Sequence, residues 1–308
     1  MNTIMKKLKN LLLTLILLIF IFNLDIVLLS TKQSCILFIN KIFISIFPFI
    51  ILSDILIYYD YHIFLKNIFG NFLSKIFNVD PNTSIIFILS MLTSSPTNAI
   101  YIKNMLDNKL INVETANKLL CFTYFPSISF VIGTIGIYMF NSFKIGLILW
   151  ISILLNNILI GLYLRKDKIE SNNNYFNKKE SLINTIKNSI LKAINTSFII
   201  LGILIIFTTI INVIEKNINI NPIILSIISS LLEMTSGITK ASSLSINTIY
   251  KIIIIFFSLS FSGLSIILQS ISILNEYNIN FKRILTIKLS FSFITTLFFY
   301  ILNKLLLV

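Results

Sequence analysis

Charge is scarce in this chain. Asp, Glu, Lys and Arg make up 12% of its 308 residues, against roughly a quarter in an ordinary soluble domain. With 56% apolar residues and a mean hydropathy of +0.91, the shortage excludes a water-soluble globular fold. Histidine occurs once, at His62, and cysteine twice, at Cys35 and Cys121, both in apolar surroundings. There is no CxxC pair and no Cys/His cluster, so neither a metal centre nor a disulfide framework is expected. No Gly-rich phosphate loop, nucleophile elbow or metal-spaced His/Cys/Glu set appears, so the chain reads as no enzyme and needs no cofactor. The 25 basic residues outweigh the 12 acidic ones, but they gather at the ends of apolar runs and form no groove interleaved with aromatics. Nucleic acid is therefore excluded as a partner, and the charge reads as membrane topology.

What the chain does have is long apolar runs, and a spanning helix needs about 20 such residues. The first covers 8–29; the basic start (MNTIMKKLKN) lacks a small-x-small cleavage site before Lys32, so a retained helix is expected. A second covers 36–59, with a kink at Pro48. Residues 62–78 place Ile63, Leu65, Phe69, Phe72, Leu73 and Phe77 on one broad face with lysines opposite, the pattern of an interfacial amphipathic helix. His62, beside Tyr58, Tyr59 and Tyr61, reads as an interfacial belt residue.

Two interrupted stretches follow: 84–105, broken at residues 93–98, and 117–140, broken at residues 124–127. An unbroken run, 143–164, closes the first half. After the charged, Asn-rich stretch RKDKIESNNNYFNKKE the order repeats: a span at 181–213, a stretch broken at residues 234–237, another broken at residues 260–263, and a closing span at 284–307. If the first broken stretch of each half is re-entrant, each half crosses three times and the halves face opposite ways. The expected fold is an all-α polytopic helical membrane protein, an inverted repeat with broken or re-entrant helices and about seven crossings once the N-terminal helix is counted. Its parts are an N-terminal transmembrane helix (1–35), a first half (36–164), a cytoplasmic basic and polar linker (165–181) and a second half (182–308). With the N-terminus inside, 18 of the 25 basic residues, Lys288 among them, fall on the inside, the excess that cytoplasmic loops carry.

Breaks at membrane depth free backbone N–H and C=O groups that lipid cannot satisfy, so such backbone persists inside protein or beside a water-filled cavity. Half-helix N-termini facing a cavity present bare N–H donors and partial positive charge to an anion. The candidate lining is Ser94, Ser95, Pro96, Thr97 and Asn98 from the first break and Pro126 and Ser127 from the second. The third contributes Glu233, Thr235, Ser236 and Gly237, and the fourth Ser262, Gly263, Ser265 and Gln269. Hydroxyls that merely back-bond to helix carbonyls are the competing reading, as is a helix–helix bond for Gln269. Glu233 follows eleven uncharged residues and is the first candidate for proton coupling or gating; the competing reading is a wet helix end paired with Lys240. Asp54, after Pro48, is a second gating candidate unless it lies at a kinked interface, and Asp25 reads as snorkelling to the interface.

The segments SIFPFIILSDIL (45–56), SMLTSSPTNA (90–99), ANKLLCFTYFPSISFVIGTIGIYMF (116–140), SSLLEMTSGI (229–238) and SFSGLSIILQSISIL (260–274) resemble, in that order, the YlbJ-type sporulation integral membrane proteins. These belong with the wider nucleoside-recognition or Gate-domain membrane proteins. The first break departs from the family pattern in lacking its glycine and lysine. The resemblance implies a role in endospore formation, in the mother-cell or outer forespore membrane. It also implies movement of dipicolinate, a small aromatic dianion, toward the cortex side. The expected partners are the lipid bilayer and a small anionic solute, with a second copy of the chain or other sporulation membrane proteins also in view. A non-transporting scaffold for spore envelope assembly is the alternative.

Overall fold

The structure, a computed structural model, describes residue 14 and residues 17–59, 61–166 and 181–306, and every regular element among them is helical. Helix α1 (Leu24–Leu37) passes through a π-helical segment (Phe38–Phe43) into α2 (Ile44–Tyr58) without a loop. The gap expected between residues 29 and 36 is therefore absent, and the boundary at residue 35 falls inside one continuous helix. The physical reason is local: residues 30–35 contain no Gly or Pro, Thr31 Oγ1 donates to the Val27 carbonyl at 2.8 Å, and Ser30 and Ser34 are buried. The wide π turns lie just ahead of Pro48, whose ring crowds the carbonyl one turn back. Most of the expected N-terminal span, residues 1–13 and 15–16, lies outside the described residues.

Helix α9 (Leu182–Asn217) is the counterpart of α1 and α2 in the second half. Asn217 Nδ2 donates to Asn23 Oδ1 at 2.8 Å, Asn212 Nδ2 donates to Ser30 Oγ at 2.9 Å, and the Thr208 and Ser34 hydroxyls lie 2.6 Å apart. Numbers fall along one helix as they rise along the other, so the two run antiparallel. Corresponding helices of the halves thus point in opposite directions, as an inverted repeat requires.

The amphipathic stretch forms α3 (Tyr61–Leu65), a π segment (Lys66–Gly70) and α4 (Asn71–Phe77). Leu65, Leu73 and Phe77 turn inward while Ile63, Phe69 and Phe72 stay exposed. Next come α5 (Ser84–Leu92) and α6 (Thr97–Asp107), then α7 (Val113–Phe122), a long π-helix (Ser129–Met139) and α8 (Phe143–Tyr163). The second half continues with α10 (Pro222–Leu232), α11 (Met234–Ser243), α12 (Thr248–Phe261), α13 (Gly263–Ile273) and α14 (Phe281–Leu306). Side-chain oxygens of Asn112, Ser142, Ser181, Asn221 and Asn247 accept first-turn N–H groups and set where α7, α8, α9, α10 and α12 begin.

Polar contacts mark the two ends of the bundle. At one, Lys103 pairs with Glu276 at 2.8 Å, the Tyr277 hydroxyl donates to Asp107 at 2.5 Å, and Asn280 N–H donates to Asn117 Oδ1 at 2.7 Å. Asn78 Nδ2 reaches the Arg165 carbonyl at 3.0 Å at this same end, and Lys192 bonds Asn104. The hydrogen bond from Lys103 holds the exposed Glu276 carboxyl below its ordinary range. Burial, joined by Asp107 accepting the phenolic proton, holds Tyr277 above its own. At the other end Asn23 meets Asn217, and Lys240 pairs with Glu215 at 2.6 Å.

These ends fix the path of the chain. From the first end α5 runs inward and α6 returns to it, so this broken stretch is a re-entrant hairpin. From the second end α10 runs inward and α11 returns; a Cβ on Gly237 would meet the Ser230 backbone at 2.4 Å, which shows how tightly that hairpin closes. The pairs α7 with the π-helix and α12 with α13 instead cross from end to end. Three crossings per half result, six among the described residues. The outer helices turn large apolar side chains outward, including Ile151, Leu155, Phe198, Phe293, Leu297 and Phe298, surface suited to lipid and not to water. One expectation needs correction here: Lys288, counted with the inside loop lysines, lies two turns into α14 and is fully buried.

Candidate functional site

The four breaks meet. Residues from all of them, with Leu37 of α1, Ile42 of the π segment, and Ile200 and Leu204 of α9, enclose a cavity of about 430 Å³. Of the residues expected to line it, Ser94, Ser95, Pro96, Pro126, Ser127, Glu233, Thr235, Ser262 and Gln269 do so.

Each break is held in a definite shape. Ser95 N–H donates to the Phe125 carbonyl at 2.8 Å while Phe125 N–H donates to Ser95 Oγ at 3.0 Å, locking the first break to the second. Asn157 Nδ2 of α8 satisfies the freed Tyr124 carbonyl at 2.7 Å. In the second half Ser262 (φ 73°) and Gly263 (φ 76°) both adopt left-handed backbone. A Cβ on Gly263 would lie 2.9 Å from Met234 N, so glycine allows the fourth break to press against the third. Ser258 Oγ adds a bond to the Met234 carbonyl at 3.1 Å.

Among the described residues, Glu233 is the only ionisable one in the wall. Its carboxylate caps α11: Oε1 accepts Thr235 N–H at 3.0 Å, and Oε2 accepts Ser236 N–H and the Thr235 hydroxyl, both at 2.6 Å. The competing reading, a pair with Lys240, does not hold, because Lys240 reaches Glu215. Ser127 Oγ accepts Phe130 N–H at 3.2 Å and caps the π-helix. No side chain caps α6 or α13; at α6 the Thr97 N–H donates to the Ser94 carbonyl and the Ala99 N–H to the Pro96 carbonyl, both at 3.0 Å.

Six expected lining residues are placed differently. Thr97 is buried, its hydroxyl shared with Thr93 at 2.7 Å and with the Ser94 carbonyl at 2.6 Å. Asn98 is buried behind the break, donating to Thr123 Oγ1 at 3.3 Å. Ser236 contributes its N–H to the Glu233 cap, Gly237 faces Ser230 within the hairpin, and Gly263 is spent on the contact with Met234. Ser265 is fully buried and accepts from Gln269 Nε2 at 3.1 Å, orienting that amide. The Asp54 and His62 side chains lie outside the described residues. The wall also contains Phe125, Ser129, Phe130, Thr134, Met234, Thr239 and Ile266. Ser129 and Thr134 carry a signal, polar side chains just past a break; the apolar ones look like any lipid-facing residue.

A comparison with curated proteins finds a relative: the sporulation integral membrane protein YlbJ of Bacillus subtilis (strain 168), 22% identical over 292 residues, covering 82% of this chain and 72% of the relative. This chain is similar to a sporulation membrane protein. The similarity agrees with the resemblance carried by the break segments. No family model matches the chain, and no solved structure does.

Proposed function

We propose that the chain is a membrane transporter or channel for a small organic anion, with dipicolinate as the solute, acting in endospore formation. The observation that carries the reading is the convergence of four helix breaks on one cavity of about 430 Å³, within the roughly 300–1,000 Å³ of small-molecule sites. The wall suits a flat aromatic acid: Phe125, Phe130 and Met234 offer apolar faces, while Ser94, Ser127 and Gln269 offer hydroxyl and amide donors. The N-terminus of α13, which no side chain caps and whose Ser262 lines the wall, supplies further donors of the kind that hold carboxylates. Glu233 already occupies the third N-terminus, so a solute carboxylate and Glu233 compete for the same donors. That competition supports a gating role for Glu233, with Asp54 as the second candidate. Two oppositely oriented halves around a shared site suit alternating access.

The test is the dipicolinate content of forespores in a strain lacking the gene. Loss of dipicolinate, restored by the intact gene, is expected. Normal accumulation with normal spores would sink the reading and favour a scaffold.

A further inference from the structure

Lys288 is sealed inside the bundle next to the site. Its exposure is 0%, and Nζ has no hydrogen-bond partner among the described residues. Nζ sits over the Tyr124 ring, 4.4 Å from its centroid, and Tyr124 directly precedes Phe125, a residue of the cavity wall. Around it Ser292 Oγ bonds the Lys288 carbonyl at 2.6 Å, Thr295 Oγ1 bonds Asn156 Oδ1 at 3.0 Å, and Asn157 holds the Tyr124 carbonyl. Lys288, Ser292 and Thr295 thus form a buried polar stripe of α14 against α8 and the second break, where Lys288 Nζ and the Tyr124 hydroxyl have no hydrogen-bond partner among the described residues.

Charging a lysine at membrane depth without an anion is costly, and ionisable groups held there mark ion and substrate paths. Packing alone would be served by methionine. The cavity, for its part, shows no basic residue in its wall among the described residues, although an anion is its proposed solute. We propose that Lys288 supplies positive charge to this site, taking up a proton from solution as the anion enters, acting on a solute carboxylate from behind the Tyr124 ring and separating anionic from neutral solutes. The inference rests on the anion-transport reading above.

The experiment measures binding of pyridine-2,6-dicarboxylate and of its neutral diamide to the full-length protein in nanodiscs. The intact protein binds the dianion more tightly than the diamide; equal affinities overturn the proposal. Lys288→Met weakens the dianion about tenfold or more and leaves the diamide within about twofold, the size of effect a unit charge exerts at short range in a protein interior. Lys288→Arg retains the preference. Equal weakening of both ligands, or of neither, overturns the role of Lys288 while the transport reading stands. Failure of the intact protein to bind the dianion removes both.

Discussion

Ser95 and Phe125 bond each other twice, once through Ser95 N–H to the Phe125 carbonyl at 2.8 Å and once through Phe125 N–H to Ser95 Oγ at 3.0 Å. Two pieces of unwound backbone at membrane depth thereby satisfy each other, with no need of water or lipid. The second half reaches the same end by steric means, pressing Gly263 against Met234. Each half therefore presents a joined pair of breaks to the common cavity.

Ser95→Ala leaves the Phe125 N–H without its acceptor in a buried place. The expected loss of stability is about 1–3 kcal/mol, read as a lower unfolding temperature in detergent. Ser95→Thr keeps the oxygen and is expected to lie near the parent protein.

Gly237→Ala puts a methyl group 2.4 Å from Ser230 Cα and 2.5 Å from Ser230 N, so the α10–α11 hairpin cannot close as it stands. A destabilisation of about 3 kcal/mol or more is expected. Gly202→Ala is the control, since nothing lies within 4 Å of its added Cβ. There the gain in helix propensity, about 1 kcal/mol, is expected to hold stability level or raise it.

The breaks were legible because Pro96, Pro126, Gly237 and Gly263 interrupt apolar runs together with clustered hydroxyls, a pattern no lipid-facing helix needs. The opposed halves followed from the order of those breaks. Lys288 was not legible: seven residues into a helix that opens with Lys282 and Arg283, it looks like one more loop charge, and only the burial of its α14 face shows otherwise. The continuous course through Lys32 was hidden in the same way, since Thr31, Ser34 and their neighbours read as a polar loop until Asn212 and Thr208 of α9 are seen facing Ser30 and Ser34. Hydroxyls gave the mixed result that short polar side chains usually give: Ser94 and Ser127 line the cavity, whereas Thr97 turns back onto the chain.

Glu233→Gln keeps an acceptor oxygen but gives up the charge that three donors share. A loss of about 1–2 kcal/mol is expected, with Glu233→Ala costing more because the α11 N-terminus loses its cap outright. Thermal unfolding of the two variants side by side checks the order.

The Lys103–Glu276 pair gives a pH dependence of defined sign. The folded carboxyl titrates below its unfolded value, which is about 4.3 for a free Glu. Its contribution is therefore present above that value and lost as pH falls through the lower, folded one. Acidification is expected to loosen the contact between α6 and the α13–α14 loop, seen as faster hydrogen exchange around residues 274–280, and Glu276→Gln is expected to abolish that acid response. The effect is small and weakens in salt, because Glu276 is exposed.

Uptake of labelled dipicolinate into proteoliposomes is the most direct measurement, run on the intact protein beside Thr239→Trp, a bulky substitution at an exposed residue of the cavity wall. Saturable uptake that Thr239→Trp blocks, with its unfolding temperature unchanged, is the predicted result. Uptake no faster than through protein-free liposomes contradicts a solute pathway.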